Sequence, residues 1–120
     1  MIPKKIIAID FDGTIVEDSY PEIGRLKNEA KEAIDRIYGN INHYVIINTC
    51  RAGDQLIEMI NFLIEKQIPF HRVNDNAPWL IEKYGNTRKI HADVFIDANN
   101  LGGLPDWDMM PSMIDKNLPF

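Results

Sequence analysis

The stretch Lys4-Lys5-Ile6-Ile7-Ala8-Ile9-Asp10-Phe11-Asp12-Gly13-Thr14 is an apolar run that stops abruptly at two carboxylates, a glycine and a hydroxyl. Four consecutive apolar residues from Ile6 to Ile9 suit a parallel strand covered on both faces, and the pattern predicts that strand over 4–11. Gly13 allows the chain to leave the strand sharply, and the Thr14 hydroxyl can pin the turn.

Outward from this strand the pattern alternates. Leu26, Ala30, Ala33, Ile34 and Ile37 recur at helical spacing with charged residues between them, and Gly39 supplies a stop. A second strand is expected over 44–48. Asp54 then reads as the cap of a helix carrying Leu56, Ile60, Leu63 and Ile64 on one face. A third strand over 69–73, a brief helix over 77–84 closed by Gly85, and a fourth strand over 94–96 ending at Asp97 complete the series. Strands alternating with helices imply right-handed crossovers, hence one open, three-layer, Rossmann-like α/β domain with a mostly parallel sheet spanning 1–120. Gly102, Gly103, Pro105, Pro111 and Pro119 predict an irregular tail over 101–120, used as packing or assembly surface. Trp107, Met109 and Met110 could serve there in a homo-oligomer interface, although a tail folded onto its own domain is the commoner arrangement.

The 120 residues suffice for one hydrophobic core and leave no room for a second. With 45% hydrophobic and 26% charged residues the chain is neither disordered nor fibrous. A net charge of -5 argues against general nucleic-acid binding, which needs clustered Lys and Arg, while leaving a small anionic substrate open. Cys50 is the only cysteine, so no internal disulfide forms and a reducing compartment is expected. Met1 to Lys5 leads directly into the first strand without a secretory hydrophobic stretch, and no apolar run approaches membrane-spanning length. The expectation is a cytoplasmic protein without a membrane partner.

In open α/β sheets ligands bind just outside the carboxyl ends of the strands. Those ends carry Asp10 and Asp12, then Thr49 and Arg51, then Asn74 and Asp75, then Asp97. A strand-end carboxylate can attack phosphorus, which makes Asp10 the candidate nucleophile. Asp12, on the same side two residues later, can protonate the leaving oxygen and afterwards activate water. Two carboxylates facing a phosphate dianion require positive charge, and a hard divalent cation, Mg²⁺, is the natural supplier, with Asp97 completing its protein ligands. Thr49 can donate to a phosphoryl oxygen, and Lys89 or its neighbour Arg88 can neutralise the transferring group. Gly13 and Thr14 join Thr49 and Arg51 as candidate substrate contacts; the Arg51 fork suits phosphate, and a surface salt bridge suits it equally. Cys50 lacks a phosphate-cradling loop before Arg51 and reads as a small buried residue, Asp75 with Asn74 and Asn76 as a turn, and His43, His71 and His91 show no metal-ligand spacing.

Taken together, Asp10-Phe11-Asp12-Gly13-Thr14, Thr49, Lys89 and Asp97 resemble, in order, the four motifs of the haloacid dehalogenase (HAD) superfamily of phosphohydrolases. The resemblance covers nearly the whole chain. It implies a nucleophile at Asp10, a general acid/base at Asp12, and Mg²⁺ held by Asp10, Asp97 and the backbone carbonyl of Asp12. The intervals from Asp12 to Thr49 and from Thr49 to Lys89 are used up by ordinary elements, so the chain resembles the small cap-less, phosphatase-like subgroup. Within it, Ile96-Asp97-Ala98-Asn99-Asn100-Leu101-Gly102-Gly103 is similar to a pattern in which two acids precede Asn-Leu-Gly-Gly. Ala98 stands where the second acid would be, and Asn100 is the candidate to compensate. Two other classes remain open: a signalling receiver, whose phosphorylated acid would be Asp75, and a catalytically silent metal-binding domain.

Overall fold

A computed structural model describes residues 4–116; the first three residues and the end of the expected tail, with Pro119, lie outside the described residues. The elements are β1 (Lys5–Asp10), α1 (Ala30–Gly39), β2 (His43–Asn48), α2 (Gly53–Glu65), β3 (Arg72–Val73), α3 (Pro78–Tyr84), β4 (Val94–Ile96) and α4 (Met110–Lys116), the last entered through a 3-10 turn at Trp107–Met109. All strand pairs are parallel, in the order β3-β2-β1-β4. The α/β architecture with a parallel sheet is therefore as expected.

Strand alternation divides the core. Ile7, Ile9, Val45 and Ile47 face one side, packed with Ala33, Ile34 and Ile37 of α1, Met59 and Leu63 of α2, and Met110 and Ile114 of α4. Ile6, Tyr44 and Ile46 face the other, covered by Ala77, Trp79 and Leu80 around α3. Each fully buried Ile or Leu contributes about 1.5–3 kcal/mol relative to exposure, so burial on both faces explains the unbroken apolar run of β1.

Several boundaries differ from the sequence expectation. Leu26 lies outside α1, in a bridge to Val16, because a loop residue packed on the same core mimics helical spacing. Asp54 sits inside the first turn of α2 and not at its cap, Ala52. Ile64 is 63% exposed, leaving Met59 and Leu63 as the buried contacts of that helix. The third strand is only two residues long. The expected irregular tail contains α4, whose Pro111 occupies the first turn, where its missing N–H would be unpaired anyway. Trp107 and Met110 are buried against the domain; Met109 alone of the three is exposed.

Beside β3, His71 is stacked between Tyr38 and Tyr44, with centroids at 4.5 Å in both pairs. Its Nδ1 accepts the Val45 amide at 2.9 Å, which requires an unprotonated nitrogen. Burial first, and then the charge of Lys4, lower its pKa below the ordinary 6.5. A depressed histidine pKa contributes stability that is present above 6.5 and lost as pH falls through the lower folded value. His71→Asn keeps an acceptor but cannot titrate. We expect the His-dependent fall in melting temperature between pH 7 and pH 5, about a few degrees, to disappear in that variant, as measured by thermal denaturation.

Candidate active site

The sheet register assembles the site. Asp10 pairs with Asn48 and Ile9 with Ile96, so Asp10, Thr49 and Asp97 leave the sheet at one carboxyl edge, with Asp10 on a central strand. The turn that follows is tight: the Phe11 carbonyl accepts the amides of Thr14, Ile15 and Val16 at 3.1, 2.9 and 3.3 Å. Gly13 makes it feasible, at φ 83, where a side chain would be strained. The turn returns the Thr14 hydroxyl to Asp10, where it donates to Oδ2 at 3.1 Å, and Thr14 Oγ1 itself accepts the Ala98 amide at 2.9 Å. Trp107 Nε1 donates to the Thr14 carbonyl at 2.8 Å. Thr14 is fully buried, so it is a staple between β1, β4 and the C-terminal segment and not the substrate contact expected of it.

Asp10 carries the main electrostatic signature. Burial, the charge of Asp97 and, to a smaller extent, that of Asp12 push its carboxyl up to about 6, against the opposing Thr14 and Phe11 hydrogen bonds. Asp97 is half-buried, and its Oδ1 is held by the Asn99 amide at 2.8 Å. A carboxylate whose proton affinity is raised by a second carboxylate beside it belongs to a donor set suited to a hard cation. Among the described residues, however, no three His, Cys, Asp or Glu side chains gather where they could hold a metal ion. The Asp12 carboxylate is held by Arg51, and its backbone carbonyl accepts no backbone hydrogen bond among the described residues. Mg²⁺ is commonly held by one or two carboxylates with water and substrate phosphate, so Asp10, Asp97 and the Asp12 carbonyl fit it without a third carboxylate.

Thr49 is positioned by a residue that reads in sequence as a simple turn. Asn74, at φ 54, accepts the Thr49 amide at 2.8 Å and donates to the Thr49 carbonyl at 2.9 Å, continuing the ladder beyond β3 with a side chain. Thr49 Oγ1 accepts the Arg51 amide at 3.0 Å, which leaves its own proton available for a ligand oxygen. An Asn after a strand, able to adopt positive φ, was the available signal.

Arg51 corrects another expectation. Its side chain is fully buried and grips Asp12 through two bonds of 2.7 Å, Nε to Oδ2 and Nη2 to Oδ1. Nη2 also donates to the Glu22 carbonyl at 2.9 Å, and Nη1 to those of Pro21 at 3.1 Å and Gln55 at 3.5 Å. The guanidinium lies over Phe11 and Tyr20, 5.4 and 5.2 Å from the ring centroids. The Asp12 bonds raise its pKa above the usual value. All five donors are used, so Arg51 has none left for substrate.

No protein-family model matches the chain, and no curated protein does. The solved structure of a conserved protein from Bacteroides thetaiotaomicron is 38% identical, covers 98% of this chain and 94% of its own, and superposes with a TM-score of 0.83. This chain belongs to the family of that conserved protein. A chain in the structure of the Pnkp1/Rnl/Hen1 RNA repair complex has a TM-score of 0.56 at 18% identity, with 98% of this chain aligned to 41% of that one, and shows likeness of fold alone.

Of the remaining candidates of this family member, none bonds to the site's carboxylates or to the Thr49 hydroxyl among the described residues. Lys89 and Arg88 are exposed and neither side chain bonds to Asp10, Asp12, Thr49 or Asp97 among the described residues; the Lys89 carbonyl accepts from Asn76 at 3.1 Å. Cys50 is exposed and not buried, because the chain turns outward directly after β2. Asn100 does not support the Asp97 carboxylate: its amide group donates to the Phe95 carbonyl at 3.0 Å. No helix of the described residues is long and apolar enough to cross a membrane.

Proposed function

We propose that the chain is a Mg²⁺-dependent phosphomonoester hydrolase of the haloacid dehalogenase type, acting through an aspartyl-phosphate on Asp10. The observation that carries this reading is the meeting of Asp10, Asp97 and the free Thr49 hydroxyl at one carboxyl edge, with Asp12 two residues further on. An Asp10 oxygen attacks phosphorus, the bond to the leaving oxygen breaks, and that oxygen takes a proton from Asp12. Water then attacks the acyl-phosphate, Asp12 takes its proton, and cleavage of the phosphorus–Asp10 bond releases phosphate. Thr49 donates to a phosphoryl oxygen throughout. Mg²⁺, when bound by Asp10, Asp97 and the Asp12 carbonyl, supplies the positive charge that brings a phosphate dianion to two carboxylates.

Only the loop 17–25 stands between the first turn and the segment leading to α1, and α2 begins at Gly53. A cap-less site of this kind is enclosed by the bulk of the substrate, by that loop or by a second copy of the chain. The receiver reading has less support, since Asp75 follows the two-residue edge strand β3 and pairs with Arg72 at 3.4 Å, whereas Asp10 is central. A free, exposed Cys50 suits a cytoplasmic setting. Hydrolysis of a generic phosphate ester should require Mg²⁺ and fall about a hundredfold in Asp12→Asn, the loss expected when general acid/base help is removed. Absence of turnover by the wild-type protein across a panel of phosphate esters would favour the silent metal-binding reading.

A further inference from the structure

Resting on the hydrolase reading, we infer that Arg51 is a positioning residue that makes the Asp12 carboxylate and the entrance loop 17–25 one mechanical unit. A buried arginine beside an acid usually needs no further explanation than charge compensation. Here the distribution of donors says more. Two of the five N–H groups hold the two oxygens of Asp12, and two others hold consecutive carbonyls of the loop, those of Pro21 and Glu22. The fifth reaches Gln55 of α2, which anchors the fork to the rigid domain. Tyr20 of the same loop lies over the guanidinium and is itself 58% exposed, at the rim.

Below its tip the loop is held by Ile23, which packs against the core, and by the Glu17–Arg25 ion pair at 3.1 Å. Its base is closed by Glu17 N–H to the Arg25 carbonyl at 2.8 Å and by Lys27 N–H to the Ile15 carbonyl at 2.9 Å. Gly24 lies so close to Glu17 that a Cβ there would sit 1.9 Å from its carbonyl oxygen, so the base admits no side chain. The tip, Tyr20 to Glu22, has Arg51 as its link to the domain floor. Since one planar fork serves both ends, a shift of the tip re-aims Asp12, and a shift of Asp12 loosens the tip. A substrate that presses on the Tyr20 rim therefore adjusts the residue that must reach its leaving oxygen. Geometry of this kind sets rate steeply, because small misplacement of a catalytic group costs about a hundredfold.

The test uses the whole chain as wild type, Arg51→Lys, Asp12→Asn and the double variant. Two esters are compared with Mg²⁺ present: an alkyl phosphate, whose leaving oxygen needs a proton, and 2,4-dinitrophenyl phosphate, whose leaving group does not. Arg51→Lys should lower kcat on the alkyl ester by about a hundredfold and on the activated ester by less than about fivefold, and should add nothing in the Asp12→Asn background. Lost stability or a lost phosphate contact would lower both esters equally, and equal losses overturn the proposal. The second readout needs no activity: amide hydrogen exchange at Glu17 should quicken by about tenfold in Asp12→Asn, a variant of unchanged shape that cuts the unit at its far end. Unchanged exchange there also overturns it. If neither ester is hydrolysed by the wild-type protein the hydrolase reading fails, and the exchange comparison alone then decides whether the loop and Asp12 are coupled.

Discussion

Asp10→Asn is expected to abolish turnover and, without Mg²⁺, to make the protein more stable. The first effect follows because an amide is not a competent nucleophile toward phosphorus. The second follows from the carboxyl being pushed up to about 6 in the fold, from an ordinary value of 3.8, by burial and by Asp97. A raised carboxyl pKa means that the folded state binds the proton more tightly than the unfolded chain. Stability therefore falls as pH rises from about 4 to about 6 and stays low above that. Two units would be worth about 3 kcal/mol; because the group is only half withdrawn from water, about 1–2 kcal/mol is the reasonable size. That corresponds to several degrees in melting temperature at pH 7.5. Thermal denaturation of both proteins checks it: Asp10→Asn should melt higher without Mg²⁺, and added Mg²⁺ should raise the wild type toward it while hardly moving the variant. A variant that melts lower than the wild type at pH 7.5 would mean that the Asp10 charge is not strained.

The second large effect concerns the other end of the ion site. Asp97→Ala should eliminate Mg²⁺-dependent turnover, because it leaves Asp10 as the one side-chain donor at this edge. Ala98→Asp should do the opposite. The Ala98 amide already holds Thr14, and its Cβ lies 4.0 Å from where a Cβ on Gly13 would stand, so position 98 faces the turn that carries the Asp12 carbonyl. A carboxylate there can orient water on the ion, and losses of such outer contacts typically weaken metal affinity by about ten- to a hundredfold. Half-saturating Mg²⁺ should fall by a comparable factor in Ala98→Asp. If it is unchanged while Asp97→Ala is inactive, the ligand assignment stands and the outer contact does not. If Asp97→Ala retains wild-type activity, the ion lies elsewhere.

The sequence made the parallel sheet and its carboxyl edge legible because both depend on short-range pattern. An unbroken apolar run specifies a strand, two-face-buried in β1, and the same pattern marks 94–96, although there Phe95 is exposed on an edge strand. Asp10, Thr49 and Asp97 then fall together as a consequence of register. What escaped depends on side-chain direction. Nothing in the order Thr49-Cys50-Arg51 tells which side chain turns inward, and the structure buries the arginine and exposes the cysteine, the reverse of ordinary preference. Lys89 matches a motif by order alone, and its side chain makes no bond to Asp10, Thr49 or Asp97 among the described residues, while its carbonyl accepts from Asn76. Asn74 and Asn76 read as turn formers, while both act through their amide groups, one on Thr49 and the other on the 87–91 segment. Pro111 reads in sequence as a breaker, yet it stands in the first turn of α4, where a helix accepts it.

Covalent trapping tests the central claim most directly. The wild-type protein is incubated with Mg²⁺ and a phosphorus-labelled phosphate donor, quenched in acid, and digested for mass spectrometry, with a parallel sample reduced by borohydride to convert an acyl-phosphate to the corresponding alcohol. The account predicts label, and the reduced residue, at Asp10, and no label in Asp10→Asn. Undiminished turnover by Asp10→Asn, with the label at Asp75, would contradict it.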